Sequence, residues 1–178
     1  MKSNSQSPFK INLHELPRRA GEMKSYHLEF SAPEAIGTPM LAIKTGQILE
    51  IDFKAEAVSD GVLISGRIIS EAVGECGRCL DELREEIDQE FRELFLYESR
   101  KSDEEDDDEL FAMDGDIADI EVPIRDAVVL AMPLNPLCKP DCQGLCSECG
   151  ERMETLGPDH THEKVDPRWS GLAGWQPK

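Results

Sequence analysis

Residues 46–76 read GQILEIDFKAEAVSDGVLISGRIISEAVGEC, and this stretch decides the fold. Leu49, Ile51, Phe53, Ala55 and Ala57 alternate with Glu50, Asp52, Lys54 and Glu56. Successive side chains of a strand point to opposite faces, so a two-residue period marks a strand with one face in the core and one in water. Ser59-Asp60-Gly61 supplies the chemistry of a tight turn. Beyond it, Val62, Ile64, Ile68 and Ala72 share one face, and Leu63, Ile69 and Val73 share the other. A strand that is apolar on both faces belongs in the middle of a sheet. Two long strands joined by a short turn form an antiparallel hairpin.

The next segment is open to two readings. Leu83, Ile87, Phe91 and Phe95 fit the four-residue spacing of a helix face and equally one face of a strand. Their place directly after a hairpin strand and a turn favours a third antiparallel strand. Upstream, Phe9, Ile11 and Leu13 alternate as a short strand. LPRRAGEMK (16–24) holds Arg18, Arg19 and Lys24, the one notable basic cluster; it reads as a solvated turn, with phosphate contact as the alternative. SAPEAIGTPM (31–40), with two prolines and a glycine, reads as a connection.

Downstream, DEEDDDE at 103–109 is a run of like charges that repel one another, so disorder is expected over 98–119. Pro123 opens a helix over 123–132, with Ile124, Ala127, Val128 and Ala131 as its buried stripe and Pro133 as its stop. DPRWSGLAGW (166–175) reads as a short helix with Asp166 as N-cap, Pro167 in its first turn, and Trp169 and Leu172 to bury. The expected fold class is α+β: an antiparallel β-sheet or small barrel as the body, a packed helix and a C-terminal zinc-binding lobe. Residues 1–97 form the body, 98–119 an acidic disordered loop, and 120–178 the helix and metal lobe, all within one domain.

The chain has 178 residues and a formal net charge of −18. Residues 81–121 hold 19 acidic and 4 basic residues, a net of −15. The remainder is close to neutral. Such a segment is repelled by naked nucleic acid and attracts basic partners in a salt-sensitive way. MKSNSQSPFKINLHELPRR has no apolar core of a signal peptide, and no apolar run approaches a membrane span. The expectation is a soluble cytoplasmic protein with reduced thiols and no membrane partner.

Reduced thiols direct attention to PLCKPDCQGLCSECG, which places Cys138, Cys142, Cys146 and Cys149 within twelve residues, and to His160 and His162 in GPDHTHEK. Thiolates and imidazoles are the ligands zinc prefers, and a structural site takes four in a tetrahedron. Three ligand sets are open: Cys138, Cys142, Cys146 and Cys149; Cys146, Cys149, His160 and His162; or a set that brings in Cys76 and Cys79 of GECGRCL. The first is local and needs no distant closure, so it ranks first. Cys76 and Cys79 rank lower, with a redox pair as their other reading and Arg78 as a packing or anion-contact residue. Cysteine-rich shells favour structural over catalytic zinc. No Gly-x-Ser-x-Gly, phosphate loop or dinucleotide fingerprint occurs. His14 and His27 are isolated, and nothing marks a small-molecule substrate. The expected protein is not an enzyme.

The ordered set GECGRCLDEL, ELFLY, an acidic gap, IRDAVVLAMPLNPLCKPDCQGLCSECG and VDPRW resembles the YceD family of bacterial and plastid proteins, described as large ribosomal RNA subunit accumulation proteins. The resemblance runs from about Phe9 to Trp175, and the extended cysteine cluster with DHTH is similar to the actinobacterial branch. It implies a role in producing or stabilising 23S ribosomal RNA and no known enzymatic activity. Some relatives carry the upstream Cys-x-Arg-Cys pair without the C-terminal cluster. That implies two separate features, with Cys76 and Cys79 outside the first-choice zinc site. The implied partner is a basic ribosomal protein or assembly intermediate, with direct 23S contact or thiol redox chemistry at Cys76 and Cys79 as alternatives.

Overall fold

The computed structural model describes residues 7–97 and 111–162, together with Arg168. Its elements are β1 (Lys10–Asn12), β2 (Met23–Ser31), β3 (Ile36–Gly37), β4 (Leu41–Ile43), β5 (Ile48–Ala57), β6 (Gly61–Glu75), β7 (Glu82–Leu96), β8 (Phe111–Ala112), β9 (Ile117–Asp119) and α1 (Glu121–Ala131). The acidic run at 103–109 and, apart from Arg168, the tail segment 166–175 lie outside the described residues.

The hairpin read from 46–76 is present. Ala57 pairs with Val62 across the Ser59-Asp60 turn, and the ladder continues to Glu50 opposite Ile69. Leu49, Ile51, Phe53, Ala55 and Ala57 are all buried. β6 is central: β5 and then β4 occupy one edge, and β7 pairs along the other from Gly61–Leu96 to Glu75–Glu82. Its inward residues Val62, Ile64, Ile68 and Ala72 are buried, while Leu63, Ile69 and Val73 are half-covered. The 80–96 segment is therefore the strand of the two readings, with Ile87, Phe91 and Phe95 on the core side.

β2 pairs with β5 along its whole length and forms one edge of the sheet. Sequence reading left this strand unassigned between a turn and a connection. Its signal is the alternation of Tyr26, Leu28 and Phe30, which pack against the core; the basic turn before it and the prolines after it masked that period. The connection at 31–40 also contributes β3, paired to β4. The strand order does not close, so the body is an open sheet rather than a barrel.

Disorder expected over 98–119 gives way in 111–119 to two short strands. β8 runs parallel to the end of β7, and β9 pairs with β1. The cause is burial: Met113, Ala118 and Ile120 enter the core, while Asp114, Asp116 and Asp119 face water. α1 begins two residues before Pro123, which falls in the first turn, where its missing N–H is not needed. The Asp119 side chain accepts a hydrogen bond from the Glu121 amide. Ile124 and Val128 are buried against β7 and β3, and Ala127 is half-buried. Ala131, expected in the stripe, is exposed because the helix ends there and Met132 turns extended before Pro133. One apolar cluster runs from Phe9 to Met132.

The fold places the β6–β7 turn, residues 76–81, at the tip of the longest ribbon. The segment after α1 returns to that tip.

Candidate metal centre

The β6–β7 turn is built around Cys76 and Cys79. The Cys76 amide donates to the Asp81 carbonyl (2.8 Å), and the Leu80 amide donates to the Cys76 carbonyl (3.0 Å). Leu80 takes φ 61°, the one positive φ outside glycine among the described residues. The C-terminal segment repeats this frame around Cys146 and Cys149. There the Cys146 amide donates to the Glu151 carbonyl (2.8 Å), the Gly150 amide donates to the Cys146 carbonyl (2.8 Å), and Gly150 has φ 74°. Each Cys-x-x-Cys thus sits in the same knuckle, closed by a left-handed residue. Glycine adopts that conformation freely and leucine does not.

Each knuckle finds a different second pair. Cys76 Sγ lies 3.8 Å from Cys142 Sγ, and Cys79 Sγ lies 3.6 Å from Cys138 Sγ. Cys146 Sγ lies 3.3 Å from His162 Nε2, and Cys149 Sγ lies 3.7 Å from His160 Nε2. Within each group of four, all ligand atoms lie within 4.8 Å of one another. Bonds of about 2.3 Å to sulfur and about 2.0 Å to nitrogen at tetrahedral angles set ligand sulfurs about 3.8 Å apart, and sulfur about 3.6 Å from nitrogen. Both groups have these dimensions, and both could hold a metal ion.

The first-ranked set of the sequence reading is divided by this arrangement. Cys138 and Cys142 go with Cys76 and Cys79, while Cys146 and Cys149 go with His160 and His162. Proximity in sequence favoured one local site, but Gly144 turns the chain between the pairs. Gly144 has φ 78°, and a Cβ there would lie 2.8 Å from the Arg78 carbonyl oxygen. The available signal was a ligand count. Six cysteines and the two neighbouring histidines make eight donors, enough for two sites of four, and the two Cys-x-x-Cys pairs each start one.

The first group is mostly buried: Cys76 is 0%, Cys79 7% and Cys142 2% exposed, and Leu137 and Leu145 pack on them. Arg78 donates from its guanidinium to the Cys142 carbonyl (2.7 Å), and the Arg78 carbonyl accepts from the Leu145 amide (3.1 Å). Asp81 and Arg152 close the same seam with a two-pronged ion pair. The sequence reading named Arg78 as a packing or anion-contact residue; its carbonyl partner and the Asp81–Arg152 pair were not apparent.

The electrostatics are those of crowded thiols. Amides of Cys138 and Cys79 bond the Cys76 sulfur and bring its pKa down to about 6 against the effect of burial. At Cys79 the Asp81 amide pulls the same way, but burial and the Cys76, Cys138 and Cys142 sulfurs outweigh it and push the thiol up to about 12. Four sulfurs this close cannot all carry charge unless a cation shares the space. In the second group the Cys149 and Glu148 amides and the His160 side chain bring Cys146 to about 6.

A third grouping, His27, Glu50 and Asp52, lies on the open face of the sheet. There His27 Nδ1 meets Asp52 at 2.8 Å, which raises the imidazole pKa and accounts for the contact as a surface ion pair. The basic cluster is likewise engaged: Arg18 pairs with Asp116 (2.6 Å) and Lys24 with Glu15.

Among the described residues, an open, mostly antiparallel sheet with one packed helix and two groups of four donors that could hold a metal ion define a small α+β protein. The family model described as "Large ribosomal RNA subunit accumulation protein YceD" matches residues 64–175, and the chain belongs to that family. An uncharacterized protein of Mycobacterium tuberculosis is 40% identical over 167 residues, covering 93% of this chain and 80% of the relative. One from Mycobacterium leprae is 33% identical over 168 residues, covering 93% and 76%. The uncharacterized protein YlbN of Bacillus subtilis is 22% identical over 162 residues, covering 90% of each. No solved structure matches the chain. No helix among the described residues is long and apolar enough to cross a membrane.

Proposed function

We propose that the protein is a non-catalytic ribosome-biogenesis factor that supports accumulation of 23S ribosomal RNA in the cytoplasm, with structural zinc in the Cys76–Cys79–Cys138–Cys142 tetrad. The observation that carries this reading is the family match, which covers most of the β6–β7 ribbon, the helix and all eight candidate ligands. The tetrad supports a structural role for the metal: it offers four sulfurs and no open position, as fold-holding zinc sites do. A tetrahedral set of four thiolates suits zinc, with iron as the other common occupant.

The partner in this reading is a basic ribosomal protein or a large-subunit assembly intermediate. β7 turns Glu85, Glu86 and Glu90 to solvent beside Glu82 and Asp88, which pair with Arg84 and Arg67, and this acidic excess supports a basic partner and a salt-sensitive encounter. Deleting 103–109 is expected to weaken binding to basic ribosomal proteins, most at low salt; an unchanged affinity and salt slope removes that run from the docking surface. The decisive experiment depletes the protein in its host and measures the ratio of 23S to 16S RNA. The ratio should fall and recover with the wild-type gene. An unchanged ratio with normal large-subunit peaks overturns the role.

Direct RNA contact through residues 18–24 is the weaker reading, because Arg18 and Lys24 are already engaged by carboxylates. Tight filter binding of 23S fragments by the isolated protein would restore it. A dithiol redox role for Cys76 and Cys79 is weaker still, since each sulfur faces a cysteine of the C-terminal segment.

A further inference from the structure

Residues 153–162 carry little that could hold them in place by burial. Only Leu156 and His160 are even half-covered; the Met153 amide donates to the Gly144 carbonyl and Glu154 pairs with Lys139 at its start, and beyond Glu154 the hydrogen bonds are the turn contacts Thr155 to Arg152 and His160 to Gly157. Yet two imidazoles from this segment converge on two thiols. The rings of His160 and His162 stand edge to face with centroids 4.5 Å apart, and each presents Nε2 to a different sulfur of one knuckle. Ordering an exposed segment costs conformational entropy that two exposed thiol–imidazole contacts do not offset. A shared metal ion does offset it, because its binding free energy becomes folding free energy.

We propose that Cys146, Cys149, His160 and His162 form a second metal site, of Cys2His2 type, which takes one zinc-class divalent ion and fills and empties independently of the tetrad at the β6–β7 tip. The four donors are a complete tetrahedral set, so the site needs no ligand from elsewhere. Its closure is local: the longer ligand contact spans 16 residues, whereas Cys76 and Cys142 are 66 apart. Its donors are exposed or half-exposed, while three of the four in the first tetrad are buried. A chelator therefore reaches the second site first. The inference extends the metal reading from the first tetrad to the second and is independent of any ribosomal role.

The test is metal stoichiometry on the full chain purified without chelator, followed by Co2+ substitution and timed chelation. The expected wild type holds two zinc ions. A Cys149→Ser or His160→Ala variant keeps one, with the Co2+ spectrum of an all-sulfur site. Chelation of the wild type runs in two phases, and the fast phase is missing from these variants. If a variant fails to fold, Co2+ titration of the metal-free wild type decides alone: saturation at two ions, with mixed sulfur–nitrogen and all-sulfur spectra, supports the proposal. Saturation at one ion, or two ions retained in Cys149→Ser, overturns it. One ion that is lost in Cys76→Ser but kept in Cys149→Ser sinks the second site while leaving the first intact.

Discussion

From Phe9 to Met132 the strands and the helix send their inward side chains into one apolar cluster. From Pro133 to His162 only Pro136, Cys142 and Gly144 are buried, and the sulfurs at the β6–β7 tip are the nearest thing to a core. The first region is held by removal of apolar surface from water, at about 25 cal/mol for each Å². The second has almost no such surface to remove. A short chain segment can be ordered without a core when a metal supplies the missing free energy. The two regions should therefore fail separately, under different insults.

The largest expected effect is metal removal. Structural zinc in small domains contributes on the order of 10 kcal/mol of apparent folding free energy. Chelation should abolish amide protection over residues 136–162, and Cys142→Ser only over 136–145, while protection in β5, β6 and β7 persists. Simultaneous loss in both regions, read by hydrogen exchange, breaks the comparison. Next comes Phe95→Ala. Phe95 is 1% exposed, pairs in the ladder with Phe111 of β8, and packs its ring 5.5 Å from that of Phe111. Its truncation should cost about 3–5 kcal/mol in denaturant melts of the body, with metal content unchanged at saturating zinc.

The same contrast governs what could be read in advance. The hairpin at 46–76 was legible because a two-residue period over ten residues has one structural meaning, and the family resemblance was carried by the cysteine regions. β2 was missed because its three apolar residues are only half-buried and flanked by turn signals. Ligand partnering was not legible, because metal sites follow spatial closure and sequence shows only spacing. Cys76 and Cys142 meet because fifteen residue pairs of β6–β7 ladder carry the knuckle to where the chain returns after α1.

A smaller effect sharpens the comparison inside the knuckles. Leu80 holds the left-handed position that glycine fills at Gly150, and it is 58% exposed. Leu80→Gly should therefore relieve strain rather than lose packing, with a gain of up to about 1 kcal/mol. That gain should appear as slower metal release from the first tetrad; faster release would show that the leucine side chain is needed there. The smallest effect is expected at His27. Its pKa is raised by Asp52, so the contact stabilises the body fully below the unfolded-state value and is lost as pH rises through the raised folded value. His27→Gln should lower the melting temperature of the body barely measurably at pH 5 and not at all at pH 9. A larger deficit at pH 9 would reverse the sign.

The β6–β7 tip also sets an order in time. Synthesis delivers Cys76 and Cys79 first, at the end of a hairpin that can form from its own local turn. Their partners arrive only after α1 has been made, 59 residues later for Cys79 and Cys138. The closing of so long a loop is entropically costly until the intervening strands and helix have shortened the path. Metal capture at the first tetrad would thus come after the body has folded. A register slip of one residue in the hairpin would turn the wrong faces to the core and leave the two thiols without their counterparts. Occupancy of that tetrad would consequently report a ribbon in its correct register.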